Sequence, residues 1–165
     1  TTSITFVASA NCVKYCGGEV VFADIDPETY LLDYKKVEKL LDESPIGTYK
    51  GLILVDFAGR AIDFEKFSVL AKKFNLWIIE DACHSPGGSF YDSKKNIHKS
   101  GNGYFSDLSI FSFHPVKHIA CGEGGMLTTN SKALYEKLLL LRTHGITKEN
   151  MEESGGVGVC RNSLS

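Results

Sequence analysis

The apolar positions of this chain change period as they go, and the changes mark out strands alternating with helices. Short apolar runs of strand length occur at Val20-Val21-Phe22-Ala23, Leu52-Ile53-Leu54-Val55, Leu76-Trp77-Ile78-Ile79-Glu80, Leu108-Ser109-Ile110-Phe111 and Met126-Leu127-Thr128-Thr129. Between them, apolar residues recur at helical spacing. Thr5 to Cys16 predicts a helix closed by Gly17-Gly18, where glycine suits the C-terminal cap. Asp24-Ile25-Asp26-Pro27 predicts a turn. Asp33 then caps a helix through about Leu41, with Val37, Leu40 and Leu41 as its stripe. Asp63 opens a helix carrying Phe64, Phe67, Leu70, Ala71 and Phe74, and Ser131 opens a last one carrying Leu134, Leu138 and Leu141. Strands separated by such helices predict an α/β fold, a helix-covered and mostly parallel sheet with its binding edge at the strand carboxyl ends.

Two regions break the pattern. Ser85 to Gly103 is polar and glycine-rich, which predicts a long excursion without a strong core signal. After Gly145 the periodicity fades, and residues 149–165 read as an irregular tail. Thr1 to Ile4 leads almost directly into a helix with no strand before it. The expectation is a fragment of a larger chain, with residues 1–148 as its ordered part.

Composition narrows the class. The chain has 165 residues, 43% hydrophobic and 23% charged, with a formal net charge of −2. That is enough chain for one domain with a core. The near-neutral balance, without a basic cluster, argues against a nucleic-acid partner. No apolar run approaches the ~18 residues needed to span a bilayer, and the start lacks a signal-peptide pattern, so a cytoplasmic protein with no membrane partner is expected. Cys12 and Cys16 stand one helical turn apart, like half a metal site. No second Cys or His pair completes it, so Cys12, Cys16, Cys83, Cys121 and Cys160 read as reduced core thiols and no metal is expected.

The chemistry is carried by two strand ends. The third strand runs into Asp81-Ala82-Cys83-His84, and the fourth into Ser112-Phe113-His114-Pro115-Val116-Lys117. A lysine amine can form a Schiff base with an aldehyde, and an aspartate can keep a pyridine nitrogen protonated; pyridoxal 5'-phosphate (PLP) needs both. Each residue also has an ordinary reading: Asp81 as a cap where the strand leaves the sheet, His84 as a solvated loop histidine, Lys117 as a surface charge. Context favours Lys117, because Phe113, Pro115, Val116 and Ile119 make a poor solvent-facing segment and apolar surroundings favour a neutral amine. Gly122-Glu123-Gly124-Gly125 lacks a following Lys-Ser/Thr, so it is a turn between strands and not a phosphate-binding P-loop. Gly101-Asn102-Gly103 and Gly155-Gly156-Val157-Gly158 do not sit between a strand and a helix, which counts against a dinucleotide-binding module.

Six segments then fall into a familiar register: Thr5-Phe6-Val7-Ala8-Ser9-Ala10-Asn11, Phe22-Ala23-Asp24-Ile25-Asp26-Pro27, Ile79-Glu80-Asp81-Ala82-Cys83-His84, Phe111 to Lys117, Gly124-Gly125-Met126 and Leu141-Arg142-Thr143-His144-Gly145. In order and spacing, from about Thr5 to Lys148, they resemble the DegT-type nucleotide-sugar aminotransferases. The similarity looks greatest to the branch that aminates UDP-linked 4-keto-6-deoxy-N-acetylhexosamines, as in pseudaminic acid synthesis. The resemblance implies part of the large domain of a fold-type I PLP enzyme, with glutamate as amino donor and a homodimer in the full-length form. It implies Lys117 as the Schiff-base lysine, Asp81 at the ring nitrogen, His84 near the phenolic oxygen, Ser112 at the phosphate and Phe6 stacked on the ring. It also implies that an upstream phosphate-binding segment and a small C-terminal domain are absent. The expected activity is therefore that of an aminotransferase present as an inactive fragment. The rival is a nonenzymatic fragment or pseudoenzyme that retains only the α/β core.

Overall fold

The computed structural model describes residues 1–146. The expected tail, 149–165, and its Cys160 lie outside the described residues. The elements run in the order α1 (Ala8–Tyr15), α2 (Tyr34–Asp42), β1 (Gly51–Val55), α3 (Phe64–Phe74), β2 (Trp77–Asp81), β3 (Ser89–Tyr91), β4 (Ile97–Lys99), β5 (Leu108–Ser112), β6 (Gly125–Thr128) and α4 (Lys132–Arg142). Thr1–Thr129 forms one compact unit, and a second begins at Asn130.

The first unit is built on a four-stranded sheet in the order β1-β2-β5-β6. β1, β2 and β5 are parallel, with Val55 opposite Asp81 and Asp81 opposite Ile110. Parallel neighbours need a crossover, and α3 supplies it between β1 and β2. β6 returns antiparallel to β5, with Ser112 opposite Gly125. The sheet is thus mostly parallel and helix-covered, as expected.

Local chemistry sets the helices. The Asp33 carboxylate accepts from the Lys35 and Lys36 amides at the start of α2, and Asp63 accepts from the Lys66 amide at the start of α3. Asn75 closes α3 in the left-handed region at φ 55°. The apolar stripes of both helices land on one face of the sheet. Val37 and Leu41 of α2 and Phe64, Phe67, Leu70, Ala71 and Phe74 of α3 join Leu52, Leu54 and Ile78 in one buried cluster. Burying a side chain of this size is worth roughly 1.5–3 kcal/mol, so this face is the main source of stability. Ile53 and Val55, pointing the other way along β1, are buried as well.

The structure corrects several expectations. Val20–Ala23 is not a strand: Ala23 makes a single parallel bridge to Thr2. A one-residue partner cannot propagate a ladder. α1 starts at Ala8 and not at Thr5, and its N-terminal residue Val7 offers no side-chain cap. The third strand is shifted by one residue, so Asp81 ends it and does not follow it. The Ser85–Gly103 excursion does have a core. β3 and β4 form an antiparallel hairpin in which His98 is buried, stacked on Phe90 at 5.4 Å and touching Tyr104 and Phe105. Its Nε2 lies 3.0 Å from Asp92 Oδ2. The expected core thiols are also corrected: Cys12, Cys16 and Cys121 are exposed and Cys83 is half-buried, all four of them free. In the second unit, the Ser131 hydroxyl accepts from the Leu134 amide at the start of α4, as expected. Among the described residues no helix is long and apolar enough to cross a membrane.

Candidate functional site

Asp81 closes β2 at the carboxyl edge of three parallel strands. Its carboxylate is held from both sides. Oδ1 accepts from the Cys83 amide at 3.2 Å, and Oδ2 accepts from the Ser9 hydroxyl at 2.7 Å. The backbone is held equally firmly, since the Asp81 carbonyl accepts from the Asp56 amide at 3.0 Å and the Ala82 amide donates to the Ile110 carbonyl at 2.9 Å. Ser9 is buried, and its amide donates to the Phe6 carbonyl. Phe6 therefore sits on the turn that Ser9 ties to Asp81 and is 70% exposed.

Lys117 lies in the connection between β5 and β6 (residues 113–124), which is closed by Phe113 N–H to the Gly124 carbonyl and Cys121 N–H to the Phe113 carbonyl. Its position is registered in the titration of its neighbours. Burial pushes the Cys83 thiol up to about 12, helped by its hydrogen bond to Asp81 and opposed by the Lys117 charge. Burial also lowers the His84 imidazole below its ordinary value, and the Lys117 charge lowers it further against the pull of Asp81. Lys117 and Asp81 thus act on the same two residues from opposite signs. At neutral pH the thiol stays protonated and His84 stays neutral.

One part of the sequence reading fails at Lys117. Val116 is 79% exposed and Ile119 57% exposed, so the apolar neighbours do not enclose the lysine, itself only half-buried. The connection leaves the sheet edge, and its apolar side chains point outward. Ser112, the last residue of β5, accepts only a long contact from the His114 amide at 3.4 Å. Its hydroxyl proton keeps no protein acceptor among the described residues. An apolar cavity of about 530 Å³ lies elsewhere, lined by Val20, Ala23, Leu41, Leu52 and Trp77 among others and by none of the candidate site residues.

Two buried acids behind this edge were passed over in the sequence. Asp56 is fully buried and accepts from the Ile62 amide (2.9 Å), the Ser85 hydroxyl (2.7 Å) and the Ser100 hydroxyl (2.9 Å). Glu80, 3% exposed, accepts from the Gly101 amide (2.8 Å) and the Ser109 (2.6 Å) and Ser106 (3.4 Å) hydroxyls. Burial raises both carboxyls above their ordinary values, and their hydrogen bonds oppose the rise. Together they tie the Ser85–Gly103 excursion to the ends of β1 and β2. The turn after Asp56 also seats His84, since a Cβ on Gly59 would stand 3.1 Å from the His84 carbonyl oxygen. The sequence signal was present: each acid sits in or directly after an apolar strand, where a charge needs a reason.

Comparison with known proteins addresses the ancestry of this arrangement. The family model described as the DegT/DnrJ/EryC1/StrS aminotransferase family matches residues 1–162. The chain belongs to that family. It is 42% identical over 156 residues to the UDP-4-amino-4,6-dideoxy-N-acetyl-beta-L-altrosamine transaminase of Campylobacter jejuni, covering 93% of this chain and 39% of that protein. Among solved structures it resembles Helicobacter pylori PseC, an aminotransferase involved in pseudoaminic acid biosynthesis. The TM-score is 0.79 at 35% identity, covering 98% of this chain and 39% of PseC. It also resembles NtdA from Bacillus subtilis, solved with its cofactor PMP bound, with a TM-score of 0.75 at 26% identity over 90% of this chain and 32% of NtdA. The chain therefore spans about 39% of the length of the sugar transaminase it matches. The fold is that of the PLP-dependent aminotransferases of this family, and PLP is the family's cofactor.

Proposed function

We propose that this chain carries a cofactor-holding part of a PLP-dependent aminotransferase that aminates a UDP-linked 4-keto-6-deoxy sugar, with glutamate as donor and a homodimer as the working form. The observation that carries it is the Asp81 carboxylate, fixed at the carboxyl edge of parallel strands with Lys117 acting on the residues beside it. The residues fit the cofactor chemically. Asp81 would hold the ring nitrogen, Lys117 the aldehyde carbon, Ser112 the phosphate, neutral His84 the phenolic oxygen, and the exposed ring of Phe6 one face of the pyridine.

Bound there, the cofactor supplies an electron sink for the carbanion formed when an amino acid or amino sugar loses its α proton. The chain's own residues then have distinct tasks. Asp81 would stand against the ring nitrogen and favour its protonated form. The Lys117 Nζ would serve as the base that takes up the proton from the donor's α carbon and hands it on. With the keto sugar the same amine moves the proton in the reverse sense, so the two substrates alternate in a ping-pong order. Cys83, held as a thiol, takes no nucleophilic part. The similarity to the Campylobacter jejuni enzyme supports the UDP-linked substrate.

The test is amination of a UDP-linked 4-keto-6-deoxy-N-acetylhexosamine by the protein that carries this chain, with PLP and glutamate supplied. Transfer of the amino group with glutamate consumed is expected. No transfer to the UDP sugar, or equal turnover of a GDP-linked 4-keto sugar, would contradict the substrate reading.

A further inference from the structure

Ser9 was singled out by nothing in the sequence beyond its place in a motif, yet it is the side chain in direct contact with Asp81. Its hydroxyl donates to Asp81 Oδ2 at 2.7 Å across 72 positions of chain. The serine is 5% exposed, so water does not compete for the contact. A second hydroxyl stands behind it, with Thr5 Oγ1 2.9 Å from Ser9 Oγ. Since the Ser9 proton is committed to the carboxylate, Thr5 donates into the Ser9 lone pair. The result is a chain of hydroxyls, Thr5 to Ser9 to Asp81, both serine and threonine coming from the α1 region.

We propose that Ser9, backed by Thr5, is a positioning residue that fixes the Asp81 carboxylate for the cofactor's ring nitrogen. The proposal rests on the assignment of Asp81 above. A carboxylate at a strand end has a free χ2 rotation and presents either oxygen to an incoming group. Here the Cys83 amide pins Oδ1 and the Ser9 hydroxyl pins Oδ2, so the plane of the carboxylate is set and each oxygen retains one lone pair for the cofactor. A hydrogen bond from a hydroxyl to a carboxylate is among the strong ones, so the Ser9 contact resists rotation of the Asp81 side chain. Ser9 also joins two parts of the site. Through the hydrogen bond that its backbone N–H donates to the Phe6 carbonyl, it couples the Phe6 turn to the carboxylate. Loss of the Ser9 hydroxyl would let the carboxylate turn, while the backbone bond to Phe6 stays in place.

The experiment compares wild type, Ser9→Ala, Ser9→Thr and Thr5→Val in the full-length protein that carries this chain. PLP is titrated into each apoprotein and followed by visible absorbance, with the pH midpoint of the band and the thermal midpoint of the apoprotein as separate readouts. Ser9→Ala should bind PLP about tenfold more weakly. Its absorbance midpoint should move to higher pH, because a less firmly protonated ring withdraws less charge from the imine nitrogen. Ser9→Thr keeps the hydroxyl and should restore both. Thr5→Val should fall between wild type and Ser9→Ala. Ser9→Ala and Thr5→Val both matching wild type in PLP affinity within twofold and in pH midpoint, while wild type shows its normal band, would overturn the positioning role and leave the assignment of Asp81 standing. A wild type without any cofactor band would overturn both. If Ser9→Ala does not fold, a Thr5→Val variant with an unshifted midpoint overturns the proposal alone.

Discussion

Replacing Asp56 by alanine removes one acceptor from three donors at once, and the structure shows which of them suffers. The Ser85 hydroxyl already lies 3.4 Å from the Ala82 carbonyl and can turn to it, and Ser100 is only half-buried and can reach water. The Ile62 amide has neither escape, because Ile62 is buried and its bond to Asp56 is the one it makes. An orphaned buried donor costs roughly 1–3 kcal/mol, and the weakened Ser85 contact adds about 1. Relief from burying a charge offsets a part, which leaves a loss of about 2–3 kcal/mol. Asparagine should behave differently. Its amide oxygen keeps the Ile62 bond, and its NH₂ can donate to the serine oxygens, so Asp56→Asn should cost about 1 kcal/mol or less at neutral pH. The assay is urea unfolding of the full-length protein at several pH values. Burial raises the folded-state value of Asp56 above its ordinary 3.8. Its contribution to stability is therefore complete below the ordinary value and is lost as pH rises through the raised one. Wild type should lose stability relative to Asp56→Asn as the pH climbs through that window. An alanine variant within 1 kcal/mol of wild type, or an asparagine variant as damaged as alanine, would refute the reasoning.

Three further outcomes follow from the same geometry. Asp81→Asn keeps the shape, its oxygen accepting from the Cys83 amide and its NH₂ donating to Ser9 Oγ in a reversed contact, but cannot hold a ring nitrogen protonated, so the protein should fold normally while turnover falls about a hundredfold or more; a wild-type rate would reduce Asp81 to a strand-end cap. Gly101→Ala should destabilise by about 1–3 kcal/mol in thermal unfolding, because Gly101 has φ 79° and an added Cβ would meet the Phe111 ring at 2.2 Å; an unchanged melting point would show that the ring moves freely. Residues 1–165 expressed alone should give no amination of the UDP-keto sugar, since Ser112 is the one phosphate contact proposed among the described residues; turnover near that of a full-length relative would show the short chain to be sufficient.

Much of the fold was legible because its signals are periodic and local. Asp33, Asp63 and Ser131 each cap the helix they were expected to cap, and the apolar stripe of α3 lies buried where its spacing placed it. What stayed hidden depends on partners distant in sequence. The β3–β4 hairpin packs through Phe90, His98 and Phe105, single residues in a polar stretch that gather only when the chain folds back. Val20–Ala23 has the composition of a strand, but a ladder also needs a neighbour of equal length. At the candidate site, Asp81 and Lys117 were visible because an apolar strand pattern runs into each of them, although Asp81 is itself the last residue of its strand. Ser9 was not, because a serine at the start of a helix has many ordinary uses, and its carboxylate partner is 72 positions away. The apolar company of Lys117 was misread: Val116 and Ile119 are apolar in composition and exposed in place.

Covalent trapping of the cofactor tests the central assignment most directly. The full-length protein carrying this chain is loaded with PLP, reduced with borohydride to lock any imine as a secondary amine, digested and read by peptide mass spectrometry. Lys117→Ala and Lys132→Ala variants run alongside, Lys132 being an exposed residue at the start of α4. The expected result is a pyridoxyl group on Lys117 alone, retained in the Lys132 variant, and loss of both label and visible absorbance in the Lys117 variant. A label on another lysine, or an undiminished label after Lys117→Ala, would contradict the assignment of this site.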